Sequence, residues 1–159
     1  MEFRCNAMPT ATADRFRQSG ADDFHNPLRR LTANTDTGYF CRHCLAQPGK
    51  GNDVVLGSWN VQPPKGHYWP PSPIFLCAEP CERFEQENTI PPAVRAVQLV
   101  NARPYDADDR LLYDLNDTTT GDRLEQLVAR CLDDPRTRYV NIHTGRPGCF
   151  LCRVERSRP

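Results

Sequence analysis

The 159-residue sequence has no apolar run near the roughly 18 residues a membrane-spanning helix needs, and no membrane association is expected from it. It has no excess of either charge: Lys+Arg and Asp+Glu stand at 20 each. A nucleic-acid-binding face carries a basic stripe that displaces phosphate counterions. None is visible, so nucleic acid is not an expected partner. The N-terminal MEFRCNAMPTATADRF is polar from its second residue and lacks the apolar core of a secretory signal, which makes the expected location cytoplasmic. PGKGND has glycines and a lysine but neither the spacing nor the following Ser/Thr of a phosphate loop. No repeat and no low-complexity tract stands out.

What the chain does have is proline, 15 residues, and cysteine, eight. The length suits one domain over residues 1–159, burying roughly 70% of the surface its unfolded chain exposes. Such a domain needs no metal or disulfide merely to have a core. MEFRCNAM alternates as an edge strand does. Thr10 or Thr12 is expected to cap a helix over ATADRFRQS, which Gly20 ends. Residues 21–52 read as turns, VVLGSWNV as a strand, and QPPKGHYWPPSP as an ordered loop anchored by Trp69. IFLC (74–77) reads as a short buried strand, and PPAVRAV allows one helical turn. RAVQLVNARPY and RLLYDL flank the turn DADD as an antiparallel hairpin. TTTGDRLEQLVARCLDD places Leu124, Leu127, Val128, Cys131 and Leu132 at helical spacing, with Pro135 as the stop. RYVNIHT and CFLCRVER form a second hairpin about GRPG, and the Arg-rich end RVERSRP reads as solvated. Strands without regular helical crossovers, plus one long helix, predict an α+β fold. It would be a single compact domain, an antiparallel sheet of hairpins with one main helix and long Pro-rich loops.

Six of the eight cysteines fall in close pairs: Cys41 and Cys44, Cys77 and Cys81, Cys149 and Cys152. Two thiolates so spaced can grip one tetrahedral ion at about 2.3 Å per sulfur, and two pairs from distant segments complete its shell. Disulfides are rare in the cytoplasm, where close cysteine pairs point to metal, redox chemistry or burial. All six are therefore candidate metal ligands. A free cysteine also behaves as a small buried hydrophobe. If CFLC is a strand, Cys149 and Cys152 face opposite ways unless the chain bends at Gly148. Cys5 and Cys131 have no near partner and are expected in the core. His43, inside CRHC, can replace one thiol as a ligand.

A redox pair needs an exposed thiol of lowered pKa, commonly at a helix N-terminus, and none of the three pairs clearly opens a helix. A catalytic thiol needs a base, which His143 could supply to Cys149 across the hairpin turn. A histidine in NIHT is more often a hydrogen-bonded strand residue. The aspartates of YDADDR and LNDTTTGDR suit turns and helix starts better than a cation site. His67, Tyr68 and Trp69 offer a surface for a small molecule or a protein.

Taken in order, GYFCRHCLAQPGKGNDVVLGSW, SPIFLCAEPCERF, VNARPYDADDRLLYD, LEQLVARCLDDPRTRYVNIHT and GCFLCRVER resemble one bacterial family, domain of unknown function 1203. The resemblance lies in the ordered set rather than in any one block. It implies a compact bacterial domain and supplies no activity. In that family the counterparts of Cys41, Cys81 and Cys149 are often cysteine and that of Cys77 frequently histidine, which implies a ligand-preserving exchange at Cys77.

The sequence thus reads as a small non-catalytic, cysteine-rich binding or structural domain with a structural Zn²⁺ held by cysteines among the three pairs. The metal would pin the proline-rich middle loop to the C-terminal hairpin. The alternative is a thiol- or metal-dependent enzyme of small-molecule metabolism, with Cys149 as nucleophile and His143 as base.

Overall fold

The computed structural model describes residues 2–68 and 71–157, so the expected anchor Trp69 lies outside the described residues. The fold is α+β, as expected, with two antiparallel sheets. Strands β1 (Phe3–Asn6), β5 (Val100–Tyr105), β6 (Asp117–Thr119), β7 (Tyr139–Thr144) and β8 (Phe150–Arg156) form a five-stranded sheet ordered β1-β8-β7-β5-β6. Strands β2 (Arg29–Thr32), β3 (Asp53–Trp59) and β4 (Ser72–Cys77) form a three-stranded sheet in sequence order. Helix α1 (Thr10–Ser19) lies between β1 and β2 in the chain, the single turn α2 (Pro92–Arg95) precedes β5, and α3 (Leu124–Asp133) precedes β7.

Each sheet has its own core. The apolar face read from the sequence of α3 is buried as expected, with Leu124, Leu127, Val128, Cys131 and Leu132 packed beside Val100, Val140, Ile142 and Val154 of the larger sheet. On the smaller sheet, Ala13 and Phe16 of α1 pack with Met8, Ile74, Leu76 and Cys41. The two sheets meet where Trp59 stands edge-on to Phe150 and Phe150 N–H donates to Ser72 Oγ at 3.0 Å.

Several local expectations change. The cap of α1 is Pro9 with no side-chain cap; Thr10 is the first helical residue, and its hydroxyl meets His43 instead. Gly20 does end the helix, at φ 63° with its N–H on Phe16 O. Strand β2 was not expected, because Arg29, Arg30 and Thr32 are exposed and leave no apolar alternation to read. It is held through its backbone and by Arg30 and Thr32 on Asp53.

The return strand paired with β5 is β6, not RLLYDL, of which only Leu111 bridges Tyr105. Asp106 accepts the N–H groups of Asp108 and Arg110, and its own N–H reaches Arg110 O, which closes the turn tightly. The chain then coils through residues 112–116 before pairing again. The C-terminal RVER is not a solvated end. Arg153 is buried, donates to Asn141 Oδ1 at 3.0 Å and lies 4.3 Å over the Tyr139 ring, while Arg156 donates to the carbonyls of Leu132, Thr137 and Asp134.

Gly121 packs directly against the backbone at the end of α2. Its N–H donates to Val97 O at 2.9 Å, and a Cβ there would lie 2.5 Å from the carbonyl oxygens of both Val94 and Arg95. These are backbone atoms at the end of α2 and cannot swing aside. Gly121→Ala is expected to cost about 2–3 kcal/mol, as overpacking does. That is a fall in unfolding midpoint of about 4–12 °C for a chain of this size. Thermal unfolding checks it, and a midpoint within about 1 °C of the parent contradicts it.

Candidate metal centre

The sulfurs of Cys41, Cys44, Cys77 and Cys81 all lie within 4.8 Å of one another. All eight cysteines are free thiols. Two edges of the group are set by Cys41–Cys81 and Cys44–Cys77, each 3.9 Å between sulfurs. A tetrahedron with ligands at about 2.3 Å has edges of about 3.8 Å. The four side chains are therefore spaced as a thiolate shell is spaced, and far too widely for disulfides.

Two pieces of chain make this cluster. Residues 41–44 form a tight turn in which Leu45 N–H donates to Cys41 O at 3.0 Å and Leu45 takes φ 52°, so Cys41 and Cys44 converge. Backbone bonds fix the turn to three neighbours. Arg42 N–H donates to Phe75 O of β4, Met8 N–H to Arg42 O, and Phe84 N–H to His43 O. The second piece begins with Cys77, the last residue of β4, and continues over Pro80 to Cys81. Ala78 N–H, bonded to Asp53 O, holds its start.

Around the sulfurs stands a ring of donors. Cys77 N–H reaches Cys41 Sγ at 3.3 Å, and Arg17 Nη2 reaches Cys81 Sγ at 3.5 Å. Arg17 is itself held by Cys77 O and Asp14. His43 is not placed as a fifth ligand. Its Nδ1 lies 3.3 Å from Cys81 Sγ and its Nε2 lies 3.0 Å from Thr10 Oγ1. A thiolate only accepts, so Nδ1–H donates to Cys81 and Nε2 accepts from the threonine hydroxyl. This is how a partner just outside a metal shell orients a ligand and offsets its charge. Arg17 and Thr10 were not legible in the sequence, since helix α1 lies more than 20 residues from any ligand.

The thiols share protons unevenly. Hydrogen bonds from Cys44 and Cys77 bring Cys41 down to about 6 from the usual 9.0. Hydrogen bonds from Cys41, Cys44 and Cys77, with His43, hold Cys81 well below the ordinary thiol range. Cys44 and Cys77 are pushed up because each donates to Cys41 and its neighbours. Without metal the group thus favours thiolates at Cys41 and Cys81. A bound cation would displace the remaining protons, as ligation by thiols requires.

The third pair is not brought to this cluster, so the six candidate thiols narrow to four. Cys152 is buried in the larger core, where Cys5 is its hydrogen-bonding neighbour and both this contact and burial push its thiol up. Cys149 sits in the turn before β8, its N–H on Thr144 Oγ1 at 2.9 Å. The four clustered sulfurs thus come from the 41–44 turn and the segment that follows β4, and not from the C-terminal hairpin. Cys5 and Cys131 are buried as expected.

Cys149 and His143 share a small cavity of about 170 Å³ with Arg103. His143 is 2% exposed, and its Nδ1–H donates to Gly148 O at 2.9 Å. Burial first, then the charges of Arg103 and Arg42, bring its pKa down to about 3, although the Gly148 bond opposes this. His67 and Tyr68 are exposed, in a 3₁₀ turn at Gly66–Tyr68.

Compared with protein families, residues 38–156 match the model described as "Protein of unknown function (DUF1203)". No curated protein and no solved structure matches the chain. No helix among the described residues is long and apolar enough to cross a membrane.

Proposed function

We propose that this chain, which belongs to the DUF1203 family of proteins of unknown function, is a non-catalytic domain that holds one structural zinc ion on Cys41, Cys44, Cys77 and Cys81. The observation that carries the reading is the spacing of four sulfurs from two distant segments, with edges of 3.9 Å. Four protein ligands fill a tetrahedral shell and leave no position for substrate, which is the pattern of structural rather than catalytic zinc. The ion would fasten the 41–44 turn and the 77–81 turn beside the smaller core. These segments carry little regular secondary structure. Free thiols suit a reducing compartment, and a cytoplasmic location is part of the reading.

Metal analysis of protein purified without chelator tests the proposal. One zinc per chain is expected, with thiol reagents reaching Cys41, Cys44, Cys77 and Cys81 only after chelation. Protein that holds no zinc after supplementation, with those four thiols freely reactive, contradicts it. A four-sulfur site also suits iron. Iron would show as strong visible absorption that zinc lacks.

A further inference from the structure

Arg42 lies between two of the four clustered cysteines, yet its side chain leaves that group and enters the other side of the domain. It is 3% exposed. Its Nε–H donates to Phe150 O at 2.6 Å and Nη1–H to Phe40 O, both backbone carbonyls, and the guanidinium lies 5.2 Å over the Phe40 ring. Carbonyl oxygens satisfy two of its five N–H groups. Among the described residues no carboxylate is in ion-pair range of Arg42; the ionisable groups whose charges act on it or feel it include the thiols of Cys149, Cys41 and Cys152 and the imidazole of His143. A buried guanidinium with no anion in hydrogen-bonding contact is costly, and proteins normally supply one.

The guanidinium borders a cleft of about 600 Å³ between the smaller sheet, α2 and the turn before β8. That volume lies in the range of small-molecule sites. Its walls include Phe40, Leu56, Phe75, Val97 and Leu151, with Cys149 also on the lining. Arg42 is the one charged residue among the described residues that line it.

We propose that this cleft binds a small monocarboxylic acid with an apolar body, its carboxylate on Arg42. At the Nη1–Nη2 edge of the guanidinium, the N–H groups of Nη2 have no acceptor among the described residues. That edge matches the two oxygens of a carboxylate in the bidentate arrangement arginine favours. One fixed cation balances one negative charge. A phosphate dianion would bring a second charge into apolar walls with nothing to offset it. The position of Arg42 does not depend on which metal, if any, the four cysteines hold, because it is also fixed through its own backbone: its N–H bonds Phe75 O, and its carbonyl accepts from Met8.

The test is calorimetric titration of the protein as purified with decanoate, decan-1-ol and decyl phosphate. Decanoate is expected to bind at least tenfold more tightly than either of the others, and to slow iodoacetamide labelling of Cys149 read by mass spectrometry. Arg42→Met should remove the preference for decanoate over decanol. Because Arg42 is buried and that variant can fail to fold, Ala96→Trp is the second arm. Ala96 is an exposed residue on the cleft lining, and a tryptophan there should lower decanoate affinity at least tenfold. Equal binding of decanoate and decanol, no binding of decanoate, tighter binding of decyl phosphate, or an Ala96→Trp protein that binds decanoate as the parent does would each overturn the proposal.

Discussion

Cys44→Ser protein is expected to purify with essentially no zinc and to unfold at a temperature lower by of the order of 10 °C or more. Cys44 is a clean place to cut the shell, because its sulfur lies 3.9 Å from Cys77 Sγ and within 4.8 Å of the other two cluster sulfurs. Serine keeps the shape and removes the thiolate, so the loss reports on the metal. Metal-binding free energy is folding free energy where the site forms only on folding. In a zinc finger that is the whole of the stability; here two cores stand without it, so the fall is partial. At about 2–4 °C per kcal/mol for a chain of this size, 10 °C corresponds to about 3–5 kcal/mol. Hydrogen exchange should rise at the amides of Arg42, Leu45, Cys77 and Phe84, which hold the two turns, and not in α3. Cys149→Ser is the control: zinc content and midpoint should stay with the parent. Equal zinc in the Cys44→Ser protein and the parent would show that this cysteine is not a ligand.

Acid should weaken the fold through His143 before carboxylates begin to titrate. Its folded pKa is about 3 against 6.5 for the free imidazole, from burial first and then the neighbouring arginines. Between those values the unfolded chain binds a proton that the folded chain refuses. Stability is therefore full above pH 6.5, falls as pH drops, and levels below about 3. Each pKa unit is worth about 1.4 kcal/mol, so the His143 contribution to the loss from pH 7 to 5 is about 2 kcal/mol. Acid also weakens metal binding by thiolates in the same window, and the comparison that isolates His143 is with His143→Gln. Denaturant titration at pH 7 and 5 should show the parent losing about 2 kcal/mol more than the variant. Parallel losses in the two proteins would mean that His143 charges in the folded state.

The three cysteine pairs separate what residue spacing carries from what only the fold supplies. Cys41–Cys44 and Cys149–Cys152 have the same spacing, and as letters they are equivalent. The difference is backbone. The first pair sits on a turn closed by the Leu45 N–H on Cys41 O, so its side chains converge. The second runs into strand β8 at Phe150, and three residues of extended chain carry Cα atoms about 10 Å apart on alternating faces. The apolar residues inside CFLC hinted at the strand, whereas the polar residues inside CRHC and the PGKG beyond them favoured a turn. Helix α3 was legible because its period is local. Strand β2 was not, because an exposed strand held through its backbone leaves no apolar pattern. Arg17 reaches Cys81 Sγ, and Thr10 reaches His43, only through tertiary packing of α1, which no spacing in the chain records. Arg42 was hidden for the same reason: inside CRHC it reads as a polar turn residue, and only the fold buries it without a carboxylate.

X-ray diffraction from crystals of zinc-loaded protein, collected on both sides of the zinc absorption edge, measures the central claim most directly. One anomalous peak is predicted, with the sulfurs of Cys41, Cys44, Cys77 and Cys81 about 2.3 Å from it and His43 outside the shell, donating to Cys81. A peak at Cys149 or Cys152, a shell that includes the His43 nitrogen, or four metal-free sulfurs in zinc-supplemented crystals would contradict the account.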